Sequence, residues 1–167
     1  MTFSTASSAD IPLIQDLAEK TWWPTYSPLQ PKEKIEYLLK TFYSQEALTK
    51  AIVNGQQEFI LLYDDGLPQG FASYGKHPRD RGVFKVYKLY VLPATHGKGY
   101  GRALLEEVKE RVKKRAVEGT SCHLELNVYR GNPALKFYEK MGFAIIGEVN
   151  EPIGEFFFED YVMRIVL

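Results

Sequence analysis

Between Pro93 and Val108 the chain reads PATHGKGYGRALLEEV, with Gly97, Gly99 and Gly101 at every second position ahead of a helical pattern. Glycines so spaced remove Cβ atoms from a turn, so several backbone N–H groups can point outward and a bulky ligand can approach the main chain. At a helix start, where the first-turn amides are unpaired and the dipole is positive, such a turn suits a phosphate. Two common phosphate loops fail on spacing. G-x-x-x-x-G-K-[ST] is absent, and G-x-G-x-x-G fails because Arg102 or Leu104 stands where the last glycine belongs. These failures argue against a P-loop nucleotidase and a Rossmann dehydrogenase. Read alone, the glycines also fit a tight strand-to-helix connection and nothing more.

The elements that would hold this turn can be read from periodicity. A short opening strand leads to SSAD, a helix cap, and then to Ile11, Ile14, Leu17 and Ala18 on one helical face. WWPTYSPLQP breaks that pattern, and PKEKIEYLLKTF and SQEALTKAIVNG restart it. Strands are expected at Phe59 to Tyr63 and Gly70 to Tyr74, joined by a turn at Asp65-Gly66, with a third in VFKVYKLYVLP. Helix GRALLEEVKERVKKR carries Leu104, Leu105, Val108 and Val112 on one stripe, and CHLELNV returns as a strand. A short helix in NPALKFYEKMGF, stopped by Gly142, precedes strands near Phe143 to Glu148 and Phe156 to Val166. The expected fold is α/β, a mixed sheet with helices on both faces, in one domain spanning residues 1–167.

Composition narrows the partners. Lys plus Arg and Asp plus Glu are 21 each, so no overall field draws the chain to nucleic acid or to a membrane surface. The single cysteine, Cys122, cannot close an intrachain disulfide, which fits a reducing compartment. No basic segment with an apolar core opens the chain, and no apolar run approaches the ~20 residues of a membrane span. A cytoplasmic location is expected. His77 and His96 lack the paired spacing of metal ligands, and no metal site is expected.

YVLPATHGKGYGRALL resembles the core motif of the Gcn5-related N-acetyltransferases (GNAT), in which Arg or Gln, two residues, Gly, one residue, and Gly or Ala open the central helix. Gly99 and Gly101 match, whereas His96 stands where the family usually has Arg or Gln. NPALKFYEKMGF, about 30 residues downstream, looks like the second signature, an Asn and then a helix with an aromatic-Tyr pair and a closing Gly-Phe. The helical stretch from Lys20 to Ile52 followed by FILLYDDGLPQGFASY is similar to the branch that includes PaiA-type polyamine acetyltransferases.

The resemblance implies a mostly antiparallel GNAT-type sheet and acetyl coenzyme A (acetyl-CoA) as co-substrate. Its pyrophosphate would lie on the amides of Gly97, Lys98, Gly99, Tyr100, Gly101 and Arg102, and its pantetheine arm would pair with the backbone of Leu89, Tyr90 and Val91. Lys98 and Arg102 could add charge-assisted bonds, and Asn132 either holds the coenzyme or caps the next helix. Acetyl transfer to an amine needs a neutral amine, an oriented thioester and a proton for the departing thiolate. The resemblance sets Tyr138 beside the sulfur as proton donor. The polyamine branch tends to carry a carboxylate at the position of Tyr87, so the base does not carry over, and Glu125 in HLELNV is the candidate from strand alternation.

Acceptor clues are fewer. Between Met141 and Met163 there is no Lys or Arg, while Glu148, Glu151, Glu155, Glu159 and Asp160 all occur, a field that suits a cationic amine. Trp22, Trp23 and Tyr26 could wall an acceptor pocket, or pack as core. The expected activity is acetyl transfer to a small primary amine, a polyamine among them. A non-catalytic CoA-binding sensor and a protein or peptide amine acetyltransferase stay open as alternatives, as does a homodimer.

Overall fold

The structure, a computed structural model, describes Met1–Leu167. Strands β1 (Thr2–Thr5), β2 (Glu58–Asp64), β3 (Leu67–Lys76), β4 (Val83–Val91), β5 (His123–Tyr129), β6 (Ala144–Ile153) and β7 (Phe156–Val166) form one sheet in the order β1-β2-β3-β4-β5-β7-β6. Every neighbouring pair is antiparallel except β4–β5. That parallel pair needs a crossover. It is made by the glycine turn and α4 (Tyr100–Arg115). Helices α1 (Ile11–Tyr26), α2 (Lys32–Tyr43) and α3 (Gln45–Val53) fall between β1 and β2, and α5 (Ala134–Lys140) between β5 and β6.

The two-residue period of the strands divides the core. On β2, Ile60 and Leu62 face α4, where they meet Leu104, Leu105, Val108 and Val112, while Phe59 and Leu61 face Ile11, Ile14, Leu17, Ile35 and Leu48 of the α1–α3 layer. Burying each of these side chains contributes about 1.5–3 kcal/mol. The pattern break expected at WWPTY does not end α1, which runs through Pro24 to Tyr26. Pro24 sits in the last turn, so little helix is left to lose. Trp22 and Tyr26 hold that turn by packing on one another and on Tyr90 of β4. β6 also continues past the expected end at Glu148, paired with β7 down to the turn at Gly154.

One irregularity in β4 sets up everything near the glycine turn. Ser73 pairs with Lys88 but Tyr74 pairs with Val86, which leaves Tyr87 as an extra residue in β4. A bulge of this kind bends a strand, adds twist and shifts which face later residues occupy. Phe84 and Val86 pack with α4, and Leu89 and Val91 return to that side, while Lys88 and Tyr90 point into the α1–α3 layer. The ladder to β5 stops at Val86 and Leu126, although both strands run on.

The bulge thereby buries a lysine. Lys88 is 8% exposed, its Nζ lies 5.3–5.9 Å from the ring centres of Tyr43, Phe59 and Phe42, and Gln57 Oε1 accepts its one hydrogen bond at 3.3 Å. Burial lowers its pKa to about 8. A lysine whose folded pKa lies below its unfolded one costs stability below the folded value, and the cost fades as pH rises from there toward ~10.4. Gln57 keeps Ser73 Oγ as a donor at 2.8 Å, so losing Nζ would not orphan it. Cation–π attraction offsets part of the burial cost. Lys88→Met should therefore raise unfolding free energy by about 1–2 kcal/mol at pH 7, with the gain shrinking between pH 8 and 10. Denaturant titrations of both proteins across that range would check it.

Candidate active site

Past Val86 and Leu126, the edges of β4 and β5 that faced each other have no partner strand. On its other side β4 remains paired, with Ala72, Phe71 and Gly70 opposite Leu89, Tyr90 and Val91. A slot therefore opens between Tyr87–Val91 and Asn127–Tyr129, floored by side chains and edged by free main-chain groups. It is part of a continuous cleft of about 1410 Å³ running from the glycine turn to Glu151 and Asp160.

At the turn, Gly97 and Gly99 have φ of +86° and +83°, the left-handed region where other residues are strained. The amides of Gly97, Gly99, Tyr100, Gly101 and Arg102 donate to no group within the chain, and α4 begins here with its positive dipole end. Lys98 differs from the expectation, because its amide donates to Thr95 O at 3.2 Å and its side chain does not line the cleft. Arg102 lines it, as does His96, whose Nε2 lies 3.2 Å from Val91 O. The Tyr100 ring is buried in the α4 core, and its hydroxyl donates to Asp64 at 2.5 Å, which anchors the helix start.

Beside the slot stands a group of phenols. Tyr26 and Tyr90 share a hydrogen bond of 3.1 Å, and Tyr138, on α5, packs against Phe137 and Phe143. Burial raises the pKa of Tyr138 far above the usual tyrosine range, and no hydrogen bond within the chain engages its hydroxyl. The group thus holds a proton at neutral pH and has it free to donate. Asn132 Oδ1 accepts from Ala134 N at 2.9 Å, a cap on α5, while the residue also lines the cleft. Trp22 Nε1 donates to Tyr43 Oη at 3.2 Å, so Trp22 and Tyr26 are both wall and core. Trp23 faces elsewhere, donating to Glu19 at 2.7 Å, and is not part of the cleft.

Glu125 lines the cleft but is already engaged. It is 4% exposed, Arg164 Nε and Nη2 donate to its Oε2 at 3.1 and 2.6 Å, and His77 Nε2 lies 3.4 Å from its Oε1. His77 Nδ1 accepts from the amides of Arg79 and Asp80 at 3.2 and 2.9 Å, which places the ring proton on Nε2, facing Glu125. Tyr87 donates to Lys76 O at 3.3 Å and keeps a cleft-facing edge. Glu148 lies off the cleft and is paired with Arg130 at 3.0 Å, so the closing hairpin is less acidic than its composition implies. Arg130 comes from outside the Lys- and Arg-free stretch, and only the fold brings it there. Alternation along β7 could have singled out Asp160, which shares a face with Phe158 and Val162 in the cleft wall.

Comparison with known proteins bears on the family and the fold. The family profile described as the acetyltransferase (GNAT) domain matches residues 24–158. A spermidine N(1)-acetyltransferase of Thermoplasma acidophilum is 28% identical over 144 residues, 83% of this chain and 85% of that protein. The crystal structure of PaiA N-acetyltransferase from Thermoplasma acidophilum in complex with coenzyme A superposes with a TM-score of 0.77 at 26% identity, covering 98% of both chains. A GCN5-related N-acetyltransferase from Rhodopseudomonas palustris, at 16% identity, shares the fold, with a TM-score of 0.80 over 99% of this chain and 95% of that one. On the profile match over most of its length, this chain belongs to the GNAT family of acetyltransferases.

Proposed function

We propose that the protein transfers the acetyl group of acetyl-CoA directly to a small primary amine, with polyamines as the favoured class. The observation that carries this reading is the run from the unpaired amides of Gly97, Gly99, Tyr100, Gly101 and Arg102, along the free edge of β4, to the unengaged hydroxyl of Tyr138. The amides would hold the pyrophosphate, and Leu89, Tyr90 and Val91 would offer main-chain groups to the amide-bearing pantetheine arm. The coenzyme supplies an activated acyl group. Tyr138 supplies a proton to the departing sulfur and is reprotonated from solvent, to which the attacking nitrogen gives up its own proton. Direct attack is favoured because Cys122, the one thiol, is buried among α4 core residues and does not line the cleft, so no cysteine is placed to carry the acetyl group. The polyamine preference is supported by the name of the Thermoplasma relative and by Glu151 and Asp160 in the cleft wall. Turnover of acetyl-CoA with a panel of polyamines, other amines and peptides, followed by free thiol, tests the reading. CoA binding without amine-dependent thiol release would overturn it.

Two substitutions examine its parts. A Cβ at Gly101 would meet only ordinary contacts, 3.7 Å to Phe137 and 3.9 Å to Val91, so Gly101→Val should fold while crowding the ligand's approach to the amides. Its affinity for coenzyme A should fall at least tenfold by calorimetric titration. Since no group in the chain depends on the Tyr138 hydroxyl, Tyr138→Phe should keep thermal stability and acetyl-CoA affinity while kcat drops roughly a hundredfold. Stopped-flow thiol detection beside a melting curve would separate the two effects.

A further inference from the structure

The acidic side chains of the cleft are not equivalent. Glu125 lies one residue before the β4–β5 ladder ends, opposite Lys85, with Arg164 and His77 on its oxygens. Glu151 is exposed at the rim. Asp160 differs from both. It pairs in register with Tyr129, three residues beyond Leu126, and so stands alongside the open part of the slot. It is partly buried and lines the cleft, and its carboxylate forms no ion pair or hydrogen bond within the chain.

The cations around Asp160 are committed or stand off. Lys34 donates to Phe157 O at 2.7 Å, and Arg130 binds Glu148 and Asn150 at 3.0 and 2.7 Å. Lys85 faces the same space without pairing. On the neighbouring strand, in register with Val162, Asn127 Oδ1 is buried without any hydrogen-bond partner, the sole such side-chain atom in the molecule. Buried acceptors are nearly always satisfied, so an orphan in a cleft wall points to a donor that arrives with a ligand. An unpaired carboxylate and an unpaired carbonyl on one wall together ask for a group with several N–H donors and positive charge.

We infer that Asp160 and Asn127 form an ammonium subsite, which receives a protonated amine of the acceptor other than the neutral one that attacks the thioester, and so selects polycationic amines over neutral ones. The inference rests on the amine acetyltransferase reading above and names the residues that give it specificity. Glu125, by contrast, is already bound by Arg164, with His77 beside it. Burial also pushes the Asp160 carboxyl above the usual aspartate range, as expected of a carboxylate lacking a cation in contact.

The test uses Asp160→Asn, which keeps the size of the side chain and removes its charge, and Asn127→Val as a second variant that removes the carbonyl. Titration of the protein–CoA complex with spermidine reads the subsite without turnover, and steady-state assays compare spermidine with an aromatic amine that is neutral at pH 7.5. Asp160→Asn should weaken spermidine binding and raise its KM about tenfold or more, with kcat and the acetyl-CoA KM little changed and the neutral amine unaffected. Asn127→Val should move the same constants in the same direction by a smaller factor. Spermidine binding as tight in both folded variants as in the wild type would overturn the subsite, as would a wild type that binds no cationic amine. Amine acetylation that persists with an unchanged spermidine KM would overturn the subsite alone, whereas absence of acetyl transfer to any amine would overturn the function.

Discussion

The parting of β4 from β5 is the constraint on which the rest of the molecule depends. A sheet interior normally leaves no main-chain group unpaired, because each orphaned amide or carbonyl costs about as much as a lost hydrogen bond. Here Tyr87–Val91 and Asn127–Tyr129 run on without each other. The bulge at Tyr87 bends β4 away, and the chain at the end of β5 turns off through Arg130 and Asn132 into α5. The glycine turn lies at the far end of the same strand, so the exposed edge and the exposed amides are one continuous polar track set in an otherwise apolar core.

Charges inside such a core need compensation, and the molecule supplies it in different ways. Glu125 is held by a guanidinium, with an imidazole nitrogen 3.4 Å away, Lys34 by a main-chain carbonyl, and Lys88 by three aromatic faces and one amide oxygen. Removing one partner from a buried pair costs more than the pair contributes, since the survivor is left desolvated. The Arg164–Glu125 contact also ties β7 to β5 on the cleft face, and Arg164 continues to Asp80 at 3.0 Å, in the segment between β3 and β4. The network thereby fixes the lower boundary of the slot.

Much of this was legible in the sequence, and the parts that were not share a cause. Each expected strand is present, because an apolar run such as FILLY, buried on both faces, and alternation such as that of HLELNV are local signals. The glycine turn was legible because positive φ selects glycine at Gly97 and Gly99. The continuation of α1 through Pro24 was not, since long-range packing on Tyr43 and Tyr90 decides it. Nor was the bulge at Tyr87, which leaves no mark in composition and depends on how β3 registers. From that one residue follow the burial of Lys88 and the opening of the slot. The engagement of Glu125 and Glu148 was equally hidden, because Arg164 and Arg130 are distant in the chain and alternation shows only the face a residue occupies, never its partner.

The tip of the β6–β7 hairpin leans on α2, with the Tyr37 ring packed so closely over Gly154 that a Cβ there would come within 2.5 Å of it, Phe42 stacked on Phe158, and Lys34 bonded to Phe157 O. The glycine turn has no such cover. The cleft thus ends differently on its two sides, at bare main chain by the cradle and against a packed helix and hairpin at the other. What differs between the two ends is therefore the freedom of the wall: bare main chain at the cradle, and at the far end side chains fixed by stacking and by a hydrogen bond from Lys34.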